Sequence, residues 1–365
     1  MKYRQLGIGR PGPLNRNGQA IGLDLGATSV RAAILTLGTT QGRPSVAMQG
    51  VGAVALPAGA VVNGVVNEPE IVTAALKQLW KLNDFGGRHV ILGIANPQVV
   101  VRSLRIPNLT PQQRAKALPF QAREIIALPL NQVILDFAQI GEPDPETKML
   151  NGLLIATPRQ PVLAAVEAVE RAGLTVARVD LSSFAALRST AFENVLVEAV
   201  IDLGAHLTTI VIHNHGIPQL VRTVARGGQE LTDLLADRLR LSSSDAESAK
   251  HGSRLATAGD ATSSALDEGI RPLLAEIRSS INYFRAGNDG AQLERISLTG
   301  GAAQLPGLAD ALATQNGVPT AMITPMQHVD SSAPGKRRSG ADLDAAHVHR
   351  SASAVSVGLA MGAAA

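Results

Sequence analysis

Apolar runs of strand length alternate along the chain with segments whose apolar residues recur at helical spacing. Residues 89–95 and 296–298 are examples of the predicted strands. Residues 71–81, 160–172 and 266–286 carry apolar side chains along one helical face, which predicts helices. Because strands alternate with helices throughout, the pattern indicates an α/β fold.

Two segments of this pattern have the form of a hairpin with a polar turn. Residues 20–35 read AIGLDLGATSVRAAIL, and residues 199–212 read AVIDLGAHLTTIVI. In each segment an apolar strand runs into Asp-Leu-Gly, and a second apolar strand follows within a few residues. Two similar hairpins in the two halves of a chain predict two related domains that face one ligand.

The turns of these hairpins have the chemistry of phosphate-binding loops. Gly26 in the first turn and Gly204 in the second lack a Cβ, so an anion can approach the backbone N–H groups. Thr28 and Ser29 add hydroxyl donors, and Asp24 can hold a hydrated Mg²⁺. One such turn also fits an ordinary structural hairpin, and it is the second copy that favours a clamp around a polyphosphate.

Composition restricts the other classes of function. The chain has 365 residues, a length typical of two domains, and 45% of its residues are hydrophobic. A formal net charge of +3 and an aromatic content of 2% argue against nucleic-acid binding. The chain has no cysteine, which excludes disulfides, iron–sulfur clusters and cysteine-ligated zinc.

The ends of the chain bear on its location. No apolar run reaches the roughly 18 residues of a membrane span. Residues 1–19 combine basic residues with Gly and Pro and have no apolar core, so we predict a flexible N-terminal tail rather than a signal peptide. These features favour a cytoplasmic protein.

The order of the elements predicts a domain interrupted by an insertion. Residues 20–88 and 158–198 are expected to form the first domain, and residues 89–157 an inserted α+β subdomain. Residues 199–365 are expected to form the second domain, with a loop at residues 331–345.

Two further stretches complete a candidate nucleotide site. Glu247 and Lys250 lie three residues apart on one predicted helix face, where they could reach ribose hydroxyls or form a solvated ion pair. Gly300 and Gly301 follow a predicted strand, where bare backbone could border an adenosine or simply make a strand–helix turn.

In this order, the stretches DLGATS, DLGAHLTT, AESAK and LTGGAAQLPGL resemble the actin-like ATPase superfamily, which includes actin, sugar kinases, heat-shock chaperones and FtsA. From about residue 21 to residue 362 the chain is more closely similar to the PilM family of type IV pilus assembly proteins. The resemblance implies an α/β, actin-like (ribonuclease H-like) two-domain ATPase fold with an inserted α+β subdomain of the FtsA and PilM type.

The resemblance also implies which residues contact a nucleotide. They belong to the two phosphate loops, a helix pair and a strand–helix turn: Asp24, Gly26, Ala27, Thr28, Ser29, Arg31, Asp202, Gly204, Ala205, Thr208, Thr209, Gly227, Gly228, Glu247, Lys250, Gly300 and Gly301. The implied cofactors are ATP or ADP and Mg²⁺, which Asp24 and Asp202 would hold through water. Asp180 falls where chaperone ATPases carry the glutamate that positions the attacking water.

Two departures from the superfamily pattern predict binding rather than fast hydrolysis. Active relatives often have D-x-G-G-G-T-T in the second loop, whereas Ala205, His206 and Leu207 stand there in this chain and limit access to the backbone. Arg31 stands where PilM proteins often have Lys, which keeps the charge but changes the reach. We therefore expect a weak ATPase at most.

The resemblance further implies a partner. In PilM-type proteins the groove beside the inserted subdomain receives the short cytoplasmic N-terminus of the inner-membrane protein PilN. We therefore expect a type IV pilus or related secretion scaffold that binds a PilN-like protein and is recruited through it to the inner face of the cytoplasmic membrane. Self-association is a further option.

Two other functions stay open at this point. A small-molecule kinase of the same superfamily would need a catalytic carboxylate, for which Asp180 is the candidate. An FtsA-like cell-division scaffold would need a membrane-binding C-terminal helix. Residues 359–365, LAMGAAA, lack the basic and bulky apolar residues that lipid binding requires, which disfavours this alternative.

Overall fold

The computed structural model describes most of the chain, namely residues 18–40, 43–83, 85–191, 195–255, 260–288, 292–325 and 351–363. The predicted loop at residues 331–345 and nearly all of the predicted N-terminal tail lie outside these residues. In the described part of the chain, no helix is both long enough and apolar enough to cross a bilayer.

A five-stranded sheet, the first sheet, is built around the first hairpin. In spatial order its strands are β10 (Thr175–Leu181), β6 (His89–Ile94), β1 (Gln19–Leu25), β2 (Ser29–Thr40) and β3 (Arg43–Ala55). β1, β2 and β3 are antiparallel neighbours, whereas β6 runs parallel to both β1 and β10.

A second five-stranded sheet, the second sheet, repeats this design around the second hairpin. In spatial order its strands are β13 (Ile217–Val224), β12 (Thr208–Asn214), β11 (Val197–Leu203), β14 (Arg295–Thr299) and β15 (Thr320–Met322). β11, β12 and β13 are antiparallel, and β14 runs parallel to both β11 and β15. The similarity of the two hairpins therefore extends to two whole sheets of the same topology.

A smaller antiparallel unit, the three-stranded sheet, lies between the parts of the first sheet in sequence. In spatial order its strands are β7 (Val100–Pro107), β9 (Met149–Pro158) and β8 (Val133–Ile140). The helix α2 (Pro111–Ala122) shares its apolar core. α2 begins with a capping box in which Thr110 accepts from the N–H of Gln113 and the Gln113 side chain accepts from the N–H of Thr110.

The remaining elements pack against the faces of the sheets. A short hairpin is formed by β4 (Val61–Val62) and β5 (Val65–Val66). The helices on the first sheet include α1 (Pro69–Leu82), α3 (Arg159–Arg171) and α4 (Ser182–Thr190), and those on the second include α5 (Gly228–Leu239), α6 (Ser243–Gly252), α7 (Ala261–Gly287) and α8 (Leu308–Asn316). Single 3₁₀ turns occur at Leu130–Gln132 and Ala302–Gln304.

The structure corrects two of the predicted domain boundaries. The strand His89–Ile94, predicted to open the inserted subdomain, pairs with β1 and β10 in the first sheet. The helix α9 (Ala354–Met361), predicted to belong to the second domain, packs against α4 and the first sheet. α9 is buried almost all round, so its sequence has no polar face to show which surface it covers.

The position of α9 depends on close backbone contact with its neighbours. A Cβ on Gly358 would lie 1.7 Å from the carbonyl oxygen of Ala185 in α4. A Cβ on Gly22 in β1 would lie 2.0 Å from the carbonyl oxygen of Ser356. Glycines at these two positions let the helix lie directly on the backbone of its neighbours.

Candidate functional site

The carboxyl ends of the central strands of both sheets open into one cleft. Its volume is about 1040 Å³, and residues from both hairpin turns, the end of β14 and the helix α6 line it. Ligand-binding clefts commonly enclose roughly 300–1,000 Å³, and in open α/β sheets they lie at the carboxyl ends of the strands. This cleft is therefore the candidate functional site.

The two hairpin turns at the cleft are closed by the same hydrogen bond. The N–H of Gly26 donates to the carbonyl oxygen of Ser29 at 3.0 Å, and the N–H of Gly204 donates to that of Leu207 at 2.8 Å. A Cβ on either glycine would come within 3.0 Å of the same carbonyl oxygen. Each turn thus needs its glycine for its own closure, and the two turns are structural copies of each other.

Two carboxylates, one from each sheet, lie in the cleft behind these turns. Asp24 faces Arg31 across the β1–β2 ladder, with 3.6 Å between a guanidinium nitrogen and a carboxylate oxygen. Burial raises the pKa of Asp24, and the charge of Arg31 opposes this shift. Burial, together with the negative charge of Asp24, raises the pKa of Asp202 to about 7. The two acids therefore repel each other at a site that favours a cation.

The donor set at this site fits Mg²⁺ bound through water. Mg²⁺ usually keeps several waters and is held by one or two carboxylates together with phosphate oxygens. Asp24 and Asp202 supply the two carboxylates, and burial raises the pKa of both although the charge of Arg31 opposes the shift. The described residues include no cluster of three or more His, Cys, Asp or Glu side chains that could hold a metal on its own.

The backbone of α5 holds the second turn in place. The N–H of Gly228 donates to the carbonyl oxygen of Gly204 at 3.0 Å, and the N–H of Gln229 donates to that of Ala205 at 2.9 Å. A Cβ on Gly227 would lie 2.4 Å from the carbonyl oxygen of Ala205. Gly227 therefore lies behind the turn and supports it, whereas Gly228 lines the cleft.

The two glycines after β14 have different roles. Gly300 has a φ of +92°, and its Cβ would lie 2.5 Å from a carboxylate oxygen of Asp202. This position therefore requires glycine both for its backbone and for the close approach of the carboxylate. A Cβ on Gly301 would meet no heavy atom of the described residues within 4 Å, so this glycine faces open space in the cleft.

Lys250 has a different role from the predicted one. It is buried, and its ammonium group donates to the carbonyl oxygen of Gly228 at 3.2 Å, to the hydroxyl of Thr232 at 2.8 Å and to Glu247 at 2.7 Å. An ammonium group has three protons, so these contacts use all of them. Lys250 thus joins α6 to α5 and is neither a solvated ion-pair member nor a free donor for ribose.

Glu247 remains at the rim of the cleft. A hydrogen bond with His251, supported by those from Lys250 and Thr232, lowers its pKa to about 2 against the effect of burial. The distance from His251 Nε2 to Glu247 Oε1 is 3.1 Å. Glu247 is therefore a fixed negative acceptor that a ligand hydroxyl can reach from solvent.

The cleft brings together most of the residues that the sequence predicted. Every predicted nucleotide-contact residue lines it except Gly227 and Thr208. Thr208 is fully buried, and its hydroxyl donates to the carbonyl oxygen of Arg226 at 2.9 Å. Thr208 therefore supports the second turn from behind, as Gly227 does.

Asp180, the candidate catalytic group, does not lie among the described residues that line the cleft. It is buried and accepts from a guanidinium N–H of Arg188 at 2.5 Å, while Arg178 lies 3.7 Å away. The two arginines also donate to the carbonyl oxygens of Gly358 and Gly362 at the end of α9. Asp180 is thus the centre of an ion-pair network that fastens α9 to the first sheet.

Several cleft residues were missed by the sequence prediction. Ser244, Ser248 and His251 line the cleft beside Glu247. Their spacing of three and four residues places them on one face of α6, and that periodicity was a usable signal. The cleft is also lined by small and aliphatic side chains from separate elements, for which no local signal exists: Leu56, Val61, Val66, Ala95 and Ala165.

The comparison with known structures establishes the fold. The chain is similar to a PilM–PilN type IV pilus biogenesis complex, with 24% identity over 95% of this chain and 98% of the other and a TM-score of 0.77. It is also similar to the ethanolamine utilization protein EutJ from Carboxydothermus hydrogenoformans, with 15% identity, coverage of 96% and 92% and a TM-score of 0.52. MreB5 of Spiroplasma citri bound to ADP matches with 13% identity, coverage of 93% and 94% and a TM-score of 0.50.

These similarities confirm the predicted α/β, actin-like fold. The sequence also matches the family model described as type IV pilus assembly protein PilM over residues 22–364, which is nearly the whole chain. The resemblance found in the sequence is thereby confirmed, and the chain belongs to the PilM family of type IV pilus assembly proteins.

Proposed function

We propose that the protein is an actin-like nucleotide-binding scaffold for type IV pilus assembly. It binds ATP or ADP with Mg²⁺ in the cleft and binds the cytoplasmic N-terminal segment of a PilN-like inner-membrane protein beside the three-stranded sheet. The observation that carries the nucleotide part is the pair of identically closed turns, each with a half-buried carboxylate behind it, on opposite sides of one cleft.

The roles of the cleft residues follow from their chemistry. The two turns would hold the phosphates, and Gly301 with the rim of α6 would border the nucleoside. Asp24 and Asp202 would hold Mg²⁺ through water, and the ion would neutralise charge on the polyphosphate. Glu247 would accept a hydrogen bond from a ribose hydroxyl.

Slow or absent hydrolysis is part of the proposal. Among the described residues that line the cleft, the carboxylates are Asp24, Asp202 and Glu247. The first two are in the position for the metal, and the third already accepts from Lys250, Thr232 and His251. A free carboxylate that could activate water is thus missing from this set, and Asp180 lies elsewhere.

The same inventory argues against a small-molecule kinase. Such an enzyme would need a carboxylate beside the acceptor hydroxyl, at the end of the cleft away from α6. Outside β1, β11 and α6, the cleft is lined by residues that include the aliphatic Leu56, Val61 and Val66, and none of the described residues there is a carboxylate. An apolar wall of this kind suits an apolar partner side chain better than a sugar.

The proposed partner site lies on the surface of the three-stranded unit. Membership of the PilM family supports a partner of the PilN type, because the similar solved structure is a PilM–PilN complex. Phe120 on α2 is 69% exposed, and an aromatic side chain of this kind commonly anchors a bound peptide. Binding there would place the protein at the inner face of the cytoplasmic membrane through its partner.

Equilibrium titration with ATP, with and without Mg²⁺, tests the nucleotide part. The wild type is expected to bind ATP in the presence of Mg²⁺, and Asp24→Asn is expected to bind it at least about tenfold more weakly. Glu268→Gln, which breaks an exposed ion pair with Arg238, is the matched control. No binding by the wild type, or equal affinity in Asp24→Asn, would contradict the proposal.

Fluorescence anisotropy with a labelled peptide tests the partner part. The peptide is the cytoplasmic N-terminal segment of a PilN-like inner-membrane protein. Phe120→Ala is expected to weaken its binding by about tenfold or more. Tyr283→Ala, an exposed aromatic on α7, is the control because Tyr283 is 72% exposed but lies on the other half of the molecule. An equal effect of the two substitutions would reject the site.

A further inference from the structure

The two turns of the cleft can be compared residue by residue because the same hydrogen bond closes both. Counting from the glycine that donates this bond, Gly26 corresponds to Gly204, and Thr28 corresponds to His206. Both Thr28 and His206 line the cleft. The apex of the second turn thus presents an imidazole where the first presents a hydroxyl.

His206 supplies a side-chain donor at the apex of the second turn, in addition to the hydroxyl of Thr209, which follows the turn and also lines the cleft. Its neighbours within the turn, Ala205 and Leu207, have aliphatic side chains. The hydroxyl of Thr208 is committed to the carbonyl oxygen of Arg226 and lies away from the cleft. An imidazole carries a ring N–H in both its neutral and its charged form, so it can donate in either state.

The backbone around His206 is held rigidly. Two carbonyl oxygens of the turn, those of Gly204 and Ala205, accept hydrogen bonds from the first N–H groups of α5. The turn therefore has little freedom to rearrange when a ligand arrives, and the ring of His206 is already positioned at the cleft.

Because the cationic side chains of the cleft already have protein partners, a hydrogen-bond donor at position 206 contributes more to the binding of a phosphate. Arg31 lies against Asp24, and all three protons of Lys250 have protein acceptors. Neither cation is therefore fully available to a polyphosphate. A phosphate held between the turns would gain a donor from His206 on one side and from Thr28 on the other.

We propose that His206 donates a hydrogen bond to the polyphosphate of the bound nucleotide, opposite Thr28, and so sets a preference for nucleoside di- and triphosphates over monophosphates. This inference rests on the proposed nucleotide binding. His206 is a specificity-determining residue in this scheme and takes no part in bond cleavage.

Affinities for ATP, ADP and AMP, each with Mg²⁺, test the inference in the wild type and in His206→Leu, which keeps much of the bulk of the side chain but has no donor. The substitution is expected to weaken ATP and ADP about tenfold and AMP less than about twofold, because only the former place phosphates between the turns. His206→Thr, which copies Thr28, is expected to recover part of the loss. The control is His215→Asn, which removes a histidine outside the cleft, at an exposed, left-handed turn position with a φ of 51° that asparagine tolerates.

The outcomes separate the two proposals. If the wild type and His215→Asn bind none of the three nucleotides, the proposed function fails and the inference fails with it. If the wild type binds ATP and His206→Leu binds it equally well, or loses the same factor for AMP as for ATP, only the role of His206 is rejected. Melting temperatures of the variants show whether a loss reflects unfolding.

Discussion

Asp180→Asn is expected to destabilise the protein strongly while leaving nucleotide binding by the folded protein unchanged. Asp180 is 1% exposed and takes hydrogen bonds from the N–H of Leu181 at 2.8 Å and from Arg188 at 2.5 Å. Asparagine keeps an acceptor for Leu181 but removes the negative charge that faces Arg188 and Arg178. The substitution therefore changes charge with little change in shape.

The size of the effect follows from the burial of this network. The side chain of Arg178 is 6% exposed and that of Arg188 is 21% exposed. Burial lowers the pKa of Arg178, and the charge of Asp180 is the main influence that opposes this shift. Removing one partner of a buried ion pair costs about 3–5 kcal/mol, a large share of the ~5–15 kcal/mol that stabilises a typical domain. The arginines also hold the carbonyl oxygens of Gly358 and Gly362, so α9 is expected to loosen first.

Urea unfolding followed by tryptophan fluorescence measures this effect. Trp80 is the single tryptophan of the chain, and its ring lies 4.9 Å from that of Phe85 beside the core of the first sheet. The midpoint of its transition is expected to fall in Asp180→Asn with an unchanged slope. Glu268→Gln removes an exposed ion pair and is expected to cost less than about 1 kcal/mol.

The reasoning would be refuted by one combination of results. If Asp180→Asn unfolded at the wild-type urea concentration and lost ATP hydrolysis or ATP affinity, Asp180 would act at the cleft and not in the network. A loss of stability in Asp180→Asn with wild-type ATP affinity below the transition is the expected result.

Three further changes test the cleft and the packing of α9. Gly301→Leu is expected to weaken ATP binding more than about tenfold, because its side chain would enter the cleft. Its melting temperature is expected to stay unchanged, because a Cβ at this position meets no atom of the described residues. Gly287→Leu, also in open space, is the control and should leave the affinity for ATP unchanged in the same titration. The pKa of Asp202 is raised to about 7 in the folded protein, against an ordinary value of 3.8, so between these pH values the folded protein binds a proton that the unfolded chain does not. The melting temperature of the ligand-free protein is therefore expected to fall as the pH rises from 4 to 7. The same fall in Asp202→Asn would contradict this assignment. Gly358→Ala would place a Cβ 1.7 Å from the carbonyl oxygen of Ala185 and is expected to lower the free energy of unfolding by about 1–3 kcal/mol or more. Calorimetry measures this loss, and an unchanged melting temperature would exclude the close contact.

The sequence by itself determined the two turns and, through them, the place of the cleft. The hydrogen bond that closes each turn joins residues three positions apart, such as Gly26 and Ser29. A short stretch of sequence therefore contains all the residues that form the turn. Strand and helix periodicity is likewise local, which is why the α/β class and the repeated hairpin could be predicted. The order of the motifs was enough to identify the PilM family, which the family model confirms.

Only the tertiary structure decided what the buried charged residues do. From the sequence, Asp180 and Lys250 were each predicted to contact a ligand. In the structure Asp180 accepts from Arg188, which also donates to the carbonyl oxygen of Gly358 far away in sequence. Lys250 donates to the carbonyl oxygen of Gly228 on another helix. The surface that α9 covers could not be predicted from the sequence either, because a helix that is apolar all round has no polar face to show which side packs against its neighbour. Long-range contacts set these roles, since burial makes every charge and every close backbone approach depend on what packs against it.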